Sequence, residues 1–161
     1  MKVVLQRVSR AEVRVDDQTV GQIGPRLLLL VCAIPSDTEE IATQLAQKIA
    51  NLRIFEDDAG KMNRSLLDIP TDGPRALVVS QFTLAADARK GRRPSFIGAA
   101  PPAQAVPLLE TFCAALSRCG VGTETGIFGA HMEVSLVNDG PVTIWLDSNE
   151  LFNANASRSN Q

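Results

Sequence analysis

The sequence predicts a single α/β domain in which mixed, mainly antiparallel sheets form a β-rich layered or barrel-like structure with two main helices. Three observations support this fold class. Strand-like segments outnumber helical ones, the strands flank the helices along the chain, and 161 residues suffice for one domain with an ordinary core. Hydrophobic residues make up 45% of the chain and charged residues 21%, so we expect a compact domain rather than a disordered one.

The chain is predicted to begin as β-sheet and to continue into a helix. Residues 3–8, 11–15 and 19–23 alternate between apolar and polar side chains, whereas residues 27–34 are continuously apolar, as in a buried strand. A capping-box pattern, Ser36-Asp37-Thr38-Glu39, then precedes apolar residues spaced four apart. This spacing predicts a helix with its apolar stripe on the sheet.

The middle of the chain is predicted to hold two strands, a long loop and a second helix. Residues 52–55 and 76–82 are β-prone, and a turn at 57–60 follows the first of them. Residues 85–102 have no regular period, and a loop of this length inside a compact domain is usually functional or disordered. The second helix covers residues 103–119.

Two more strands complete the predicted domain. Residues 131–137 and 142–146 are joined by Asn138-Asp139-Gly140-Pro141. Beyond Asp147 the chain becomes polar, so we expect one domain over residues 1–147 and a flexible tail over 148–161.

Composition excludes several classes of protein. The net charge of −2 is not that of a nucleic-acid polycation, so any RNA contact must be local. No apolar run is long enough to cross a bilayer, and Met1-Lys2 leads directly into a strand-like segment without a signal-peptide pattern. We therefore expect a cytoplasmic protein without a membrane partner.

The cysteines and the single histidine limit the chemistry. Cys32, Cys113 and Cys119 lie in apolar segments without a CxxC pair, which favours buried thiols over a disulfide or a catalytic cysteine. His131 alone supports neither a metal site nor a histidine triad, and a surface or strand-edge role fits it better. No GxGxxG, Walker or HExxH motif is present, so no cofactor is predicted. An enzyme of this composition would act on a substrate that needs little acid–base help.

Three segments are unusual for a purely structural domain. Ser80-Gln81-Phe82-Thr83-Leu84 ends a buried strand with polar residues, although Ser80 and Thr83 could simply bond nearby backbone while Phe82 fills the core. The second segment, residues 89–96, contains four cations, Arg89, Lys90, Arg92 and Arg93. These cations could bind phosphates or be merely solvated. The third contains Gly140-Pro141, whose bond is trans by base rate, since only about 5–6% of such bonds are cis, although a tight turn raises that fraction.

Taken together, these segments resemble the signatures of the D-aminoacyl-tRNA deacylase family. The resemblance covers the chain from Met1 to about Leu146, and its departures are His131, where an acidic residue is commoner, and the tail beyond Asp147. The matching motifs are Leu5-Gln6-Arg7-Val8, Arg53-Ile54-Phe55 with Gly60-Lys61-Met62-Asn63, Ser80-Gln81-Phe82-Thr83-Leu84, Arg93-Pro94-Ser95-Phe96, Thr125-Gly126-Ile127-Phe128-Gly129-Ala130-His131-Met132 and Asn138-Asp139-Gly140-Pro141-Val142-Thr143.

The resemblance implies an activity, a partner and an assembly. The protein would cut the ester between a D-amino acid and the 3′-terminal adenosine of tRNA, and it would also cleave glycyl-tRNA mischarged on tRNA(Ala). It would be a homodimer in which a cis Gly140-Pro141 of one subunit enters the active site of the other. There it would face the pocket around Ser80, Gln81, Phe82 and Thr83, while Arg7 holds the Gly-Pro carbonyls.

A mechanism follows as a hypothesis. The Gly140-Pro141 carbonyls would form a wall that the Cβ of an L-amino acid strikes, whereas a D side chain would point to solvent. Backbone N–H groups near Phe82 and Thr83 would stabilise the oxyanion while water attacks. Thr83 as a covalent nucleophile, a non-catalytic RNA-binding dimer, and a general esterase or peptidase are the competing interpretations.

Overall fold

The computed structural model describes residues 1–70 and 75–152, and a strand of 14 residues at its start organises the main sheet. Within this part the chain forms eight strands, three α-helices and two one-turn 3-10 helices. In chain order the elements are β1 (Lys2–Val15), β2 (Gln18–Ile23), β3 (Arg26–Cys32), α1 (Glu39–Ala50), β4 (Phe55–Glu56), β5 (Met62–Arg64), a 3-10 helix (Leu66–Asp68), β6 (Ala76–Ser80), a second 3-10 helix (Phe82–Ala85), α2 (Pro102–Arg118), β7 (Thr123–Thr125), β8 (Glu133–Asp147) and α3 (Ser148–Phe152).

The main sheet is mixed and mainly antiparallel, as the sequence predicts. β1 pairs antiparallel with β2, β3 and β8, whereas β3 with β6 and β6 with β7 are parallel. Parallel neighbours need long crossovers, and α1 and α2 supply them. None of the helices in the described ranges is both long and apolar enough to cross a bilayer.

Two hydrophobic clusters lie on opposite faces of β3. Leu27 and Leu29 pack in a helix-side cluster with α1 and α2, while Leu28 belongs to a second cluster. β1 contributes to both, because Val3 lies in the helix-side cluster and Val13 in the second one. β1 therefore bends around the sheet and curls it towards a barrel.

The barrel is nearly closed where β2 meets β7. A Cβ atom placed on Gly21 of β2 would lie 2.6 Å from the carbonyl oxygen of Thr125 in β7, so glycine is required for this approach. The barrel-like architecture predicted from the sequence is confirmed.

An irregularity marks the corner where β1 and β8 pass from one cluster to the other. Gln6 pairs with Thr143 and Val8 pairs with Asn138, so four residues, 139–142, stand opposite the single residue between Gln6 and Val8. We call these four residues the 139–142 bulge. Such bulges bend a strand pair, and here Asp139, Gly140 and Pro141 are exposed while Val142 is buried in the helix-side cluster.

Several predicted boundaries differ from the structure. The predicted strands 3–8 and 11–15 are one strand, β1, and 131–137 and 142–146 are likewise one strand, β8, because bulges interrupt their alternation without ending the pairing. The N-cap of α1 is Thr38, which accepts a hydrogen bond from the Ile41 N–H, and not the predicted Ser36.

Three further differences concern short elements. The predicted strand 52–55 is β4, shifted to Phe55–Glu56, where it pairs with β5. The predicted strand 76–82 ends at Ser80, and the chain then tightens into the Phe82–Ala85 helix. β7, with three residues, is too short to show a period and was not predicted.

The two ends of the described chain meet in a buried polar cluster. The N-terminal ammonium of Met1 pairs with the carboxylate of Asp37 and donates to the Ser148 hydroxyl. Ser148 begins α3, so the first five residues of the predicted tail are helical, and Leu151 and Phe152 pack against the helix-side cluster. The rest of that tail lies outside the described residues.

Candidate active site

The strand end at Ser80 leads into an exposed turn. The Gln81 N–H still donates to Val31 of the sheet, and the next residues form the one-turn helix Phe82–Ala85, which we call the Phe82 turn. Phe82 is 57% exposed and Thr83 is exposed as well. The alternative that Phe82 fills the core is therefore wrong, and the turn presents its side chains outward.

The Phe82 turn offers two backbone donors. As the first residues of a helix, Phe82 and Thr83 have N–H groups without an intrahelical acceptor, and no acceptor for them is found elsewhere in the described residues. The amide of Gln81 donates to the Thr83 hydroxyl, which fixes the Thr83 side chain beside these donors. Adjacent N–H groups on a rigid strand end can stabilise an oxygen that gains negative charge.

A buried thiol supports the Phe82 turn from behind. Cys32 is 2% exposed, and its Sγ donates to the carbonyl oxygen of Phe82 at 3.6 Å. Burial raises the pKa of the Cys32 thiol, which outweighs the opposing effect of a hydrogen bond from the Ala85 backbone. Cys32 is therefore a neutral group that contacts the start of the turn at Phe82.

A cavity of about 210 Å³ opens beside Ser80. Its walls are mostly apolar, with the ring of Phe128 on one side. Its lining residues are Val78, Ser80, Val106, Leu109, Glu110, Cys113, Thr125, Gly126 and Phe128. Burial, and secondarily the nearby Glu110 carboxylate, raises the pKa of Cys113 to about 11, so this thiol is also neutral at physiological pH. The cavity has the size and apolar lining that suit a flat ring of a ligand.

The basic loop is closed on itself next to the Phe82 turn. Asp87 and Ser95 exchange backbone hydrogen bonds of 2.8 and 2.9 Å, and the ring of Phe96 lies 5.2 Å from that of Phe82 in an edge-to-face contact. Both Nε and Nη2 of Arg89 bond to the Asp87 carboxylate, which lowers the pKa of Asp87 well below its usual range. Arg89 is thus already partly neutralised within its own loop.

The three other cations of the basic loop remain fully available. Lys90, Arg92 and Arg93 are exposed and have no carboxylate within salt-bridge distance in the described part of the chain. They lie at the tip between the paired residues Asp87 and Ser95. A cluster of exposed cations on a closed loop is suited to phosphate groups.

A second group of predicted site residues surrounds the 139–142 bulge. Arg7, 7% exposed, donates from Nη1 to the Ile54 carbonyl at 2.6 Å and from Nε to the Asp139 carbonyl at 3.3 Å. The bond between Gly140 and Pro141 is cis, as the family resemblance implies and against the base rate. The Arg7 side chain therefore holds the carbonyl of Asp139, which precedes Gly140, and within the described residues it makes no hydrogen bond to the carbonyls of Gly140 or Pro141.

The structure thus assembles the predicted site residues into two groups. No hydrogen bond or ion pair within residues 1–70 and 75–152 joins the 139–142 bulge to the Phe82 turn of the same chain. Asp139, Gly140 and Pro141 are exposed, so the bulge is open to another molecule. The side chain of Asn138 and the ring of Phe96 are site features that no sequence pattern marks, although both residues belong to the quoted motifs.

The remaining candidates have structural surroundings only. The three cysteines are free thiols: Cys32 is buried, whereas Cys113 and Cys119 are partly exposed. His131 is exposed and lies just before β8, which agrees with a surface position. Across the described ranges, no three histidine, cysteine or carboxylate side chains are grouped closely enough to hold a metal ion.

Comparison with known proteins relates this geometry to one family. A family model described as D-Tyr-tRNA(Tyr) deacylase matches residues 4–147. A protein from Thermomicrobium roseum named D-aminoacyl-tRNA deacylase is 64% identical over 151 residues, covering 94% of this chain and 96% of the relative. A protein of the same name from Ruegeria pomeroyi is 62% identical over 147 residues, covering 91% and 99% respectively.

Two solved structures are also similar. One, described as a c-Myc DNA unwinding element binding protein, superposes with a TM-score of 0.81 at 39% identity, covering 91% of this chain and 98% of the other. A second, from a structural analysis of a probable eukaryotic D-amino acid tRNA deacylase, has a TM-score of 0.73 with the same coverage. At 19% identity, this second similarity concerns the fold alone.

Proposed function

The chain belongs to the D-Tyr-tRNA(Tyr) deacylase family, and from this premise we propose that it hydrolyses D-aminoacyl-tRNAs to free tRNA and D-amino acid. The observation that carries the proposal is the Phe82 turn, where two N–H groups without acceptors lie on an exposed strand end. An aminoacyl ester is already activated, so its hydrolysis requires oxyanion stabilisation more than a strong base. The activity belongs to translation quality control in the cytoplasm.

The chemistry at the Phe82 turn is ester hydrolysis by water. When water attacks the ester carbonyl, the N–H groups of Phe82 and Thr83 donate to the developing oxyanion, an effect worth about 3–4 kcal/mol per donor in other hydrolases. The neighbouring ribose hydroxyl of the terminal adenosine assists the water. The tetrahedral intermediate then expels the ribose oxygen, which takes a proton and leaves as tRNA, while the amino acid leaves as a carboxylate.

The substrate reaches the turn along two surfaces. The cavity beside Ser80 accepts the base of the terminal adenosine. This cavity lies next to the Phe82 turn, and its apolar walls, which include Phe128, suit a flat heterocycle. Lys90, Arg92 and Arg93 bind phosphates of the acceptor arm. Arg89 contributes less, because its guanidinium already forms a salt bridge with Asp87.

Selection for the D configuration comes from the 139–142 bulge of a second subunit. In a homodimer, the exposed main chain of Gly140-Pro141 enters the partner's site and faces its Phe82 turn. Within the described residues, the bulge forms no hydrogen bond or ion pair with the Phe82 turn of the same chain, which supports this arrangement. An L-aminoacyl group held by its amino group and ester directs Cβ into this main-chain edge, whereas a D side chain points to solvent.

Steric exclusion of this kind has a corollary for glycine. Glycine has no Cβ, so the edge cannot exclude it. Glycyl-tRNA, including glycine mischarged on tRNA(Ala), is therefore cleaved as well.

The proposal is tested by incubating the purified protein with matched D- and L-aminoacyl-tRNAs and following the release of free amino acid. We expect rapid cleavage of the D form and little cleavage of the L form. Equal rates for both would reject steric selection. Binding of tRNA without any release would instead favour a non-catalytic nucleic-acid-binding protein, and turnover of simple esters would favour a general esterase.

A further inference from the structure

The 139–142 bulge is closed at its base by one side chain. The Nδ2 atom of Asn138 donates to the carbonyl oxygen of Arg7 at 3.0 Å and to that of Val142 at 3.1 Å. Asn138 immediately precedes the bulge, Val142 is its last residue, and Arg7 is the β1 residue opposite them. One amide group therefore ties together the two ends of the bulge and the facing strand.

This position requires two donors on a short side chain. In a regular ladder, carbonyls accept from backbone N–H groups of the neighbouring strand, but neither Arg7 nor Val142 has a facing residue in the β1–β8 ladder, although Arg7 still pairs with Leu27 of β3 on its other side. The two N–H bonds of a primary amide match two carbonyls, whereas a hydroxyl has one donor and a carboxylate has none. Asn138 is partly buried, so water is a poor substitute for its amide.

Arg7 connects this closure to the tip of the bulge. Its backbone carbonyl accepts from Asn138, while its guanidinium donates to the carbonyl of Asp139 and lies 3.2 Å from the Asp139 carboxylate. The same guanidinium is anchored by the Ile54 carbonyl. The path and width of the bulge are thus set by two side chains, Asn138 at the base and Arg7 beneath the tip.

We propose that Asn138 is a positioning residue for stereochemical selection: by holding the base of the bulge closed, it keeps the Gly140-Pro141 edge where it excludes L-aminoacyl esters. This inference rests on the proposed function, because it assigns to Asn138 the placement of the edge described there. Asn138 does not touch the substrate. Its removal loosens the edge and leaves the donors of the Phe82 turn in place.

The test compares rates for the two enantiomers in Asn138→Ala and Asn138→Ser. We expect kcat/KM for L-aminoacyl-tRNA to rise about tenfold in Asn138→Ala, the factor that corresponds to losing one or two ordinary hydrogen bonds. The D substrate should change by less than about threefold, since the loss falls on placement of the edge and not on the oxyanion donors. Asn138→Ser retains one donor, so its rise should be smaller.

The matched control is Asn51→Ala at the end of α1. The Asn51 amide also donates to a backbone carbonyl, that of Gln47 at 2.8 Å, so the control loses a bond of the same kind away from the site. Its melting temperature should fall while the D/L ratio stays unchanged. A rise in the L rate is a gain that general destabilisation does not produce.

The outcomes separate the inference from its premise. If the wild-type protein does not cleave D-aminoacyl-tRNA, the proposed function fails. The second case is a selective wild-type protein and a variant whose thermal melt shows that it is folded. If either such variant retains the wild-type D/L ratio, or loses the D and L rates in parallel, the role of Asn138 is overturned. Should Asn138→Ala not fold, Asn138→Ser decides by the same criterion.

Discussion

The Nε atom of Arg7 lies 3.2 Å from the carboxylate of Asp139 and donates to the carbonyl of the same residue at 3.3 Å. Arg7 is 7% exposed, whereas the Asp139 side chain is 55% exposed. A buried cation therefore holds an exposed loop through its main chain, with the carboxylate as an outer contact.

This relationship predicts the effect of Arg7→Met, which keeps the length of the side chain and removes its donors. The carbonyl of Ile54 loses its buried partner, so the free energy of unfolding should fall by about 1–3 kcal/mol, and cleavage of L-aminoacyl-tRNA should increase. Chemical denaturation and paired D/L assays measure the two effects. Asp139→Asn is the control: since its ion pair is largely solvent-exposed, we expect a change of about 0–1 kcal/mol. A selective, fully stable Arg7→Met protein would contradict the role given to the guanidinium.

A Cβ atom at Gly140 would disturb the same contacts. It would lie 2.8 Å from Nη2 of Arg7 and 2.9 Å from Cγ2 of Val142, at a φ of +126° that other residues rarely adopt. Gly140→Ala should therefore cost about 1–3 kcal/mol of stability and lower the D/L ratio. Gly24→Ala is the matched control, because a Cβ there meets nothing within 4 Å. Equal melting temperatures for the two variants would refute the crowding at Gly140.

Thr83 distinguishes the two hydrolytic mechanisms. If water is the nucleophile and backbone N–H groups carry the charge, Thr83→Ala leaves both donors in place, and we expect kcat to fall by no more than about tenfold, a loss of ~1.4 kcal/mol. A covalent Thr83 nucleophile predicts abolished turnover with substrate binding retained. Single-turnover kinetics with D-aminoacyl-tRNA decide between them, and Gln81→Ala shows how much the Gln81–Thr83 hydrogen bond contributes.

The basic loop predicts a graded salt dependence. Replacing Lys90 or Arg92 by Ala should reduce the slope of log K against log salt for tRNA binding by roughly 0.7–0.9 per charge. Arg89→Ala should change the slope less, because Asp87 already bonds to Arg89. Lys48, at the end of α1, is a control cation away from the loop. If Lys48→Ala lowers the slope as much as the substitutions of Lys90, Arg92 and Arg89 do, the loop is excluded as the tRNA contact.

The Cys113 thiol predicts a pH dependence of alkylation. Only the thiolate reacts, and because the folded pKa is raised from 9.0 to about 11, the rate should still rise without a plateau between pH 7 and 10. In unfolded protein the alkylation rate should level off as the pH passes the ordinary thiol pKa of 9.0. If the cavity binds the terminal adenosine, tRNA should slow the modification of folded protein, as mass spectrometry of the Cys113 peptide can show. A plateau below pH 9 in the folded protein would contradict the neutral thiol.

The sequence predicts the periodic segments of the molecule better than the bulged ones. The helix over Ile41, Leu45 and Ile49 follows from spacing alone, and so does the buried strand beginning at Leu27. The split of β1 and β8 into shorter predicted strands has a physical cause, since a bulge breaks the alternation while pairing continues past it. Periodicity therefore detects the elements but not the corner that joins them.

The candidate site was predictable as residues and not as contacts. The motif around Ser80 and Thr83 located the strand end, but the free donors depend on the chain tightening into a 3-10 turn after Gln81. Two contacts depend on side-chain geometry that a sequence pattern does not contain. They are the salt bridge between Arg89 and Asp87 and the two hydrogen bonds that Asn138 donates to carbonyls. The family resemblance supplied the cis Gly140-Pro141 bond, which spacing could not.

The corner between the two clusters has a consequence for heat resistance. β8 places Val142 in the helix-side cluster and packs Leu136 against the second one, so the residues between them are secured from both directions. Displacing this segment as a unit requires one hydrophobic interior or the other to come apart. The proposed selectivity for D substrates should then persist on warming until the whole domain melts, instead of fading through an early local opening.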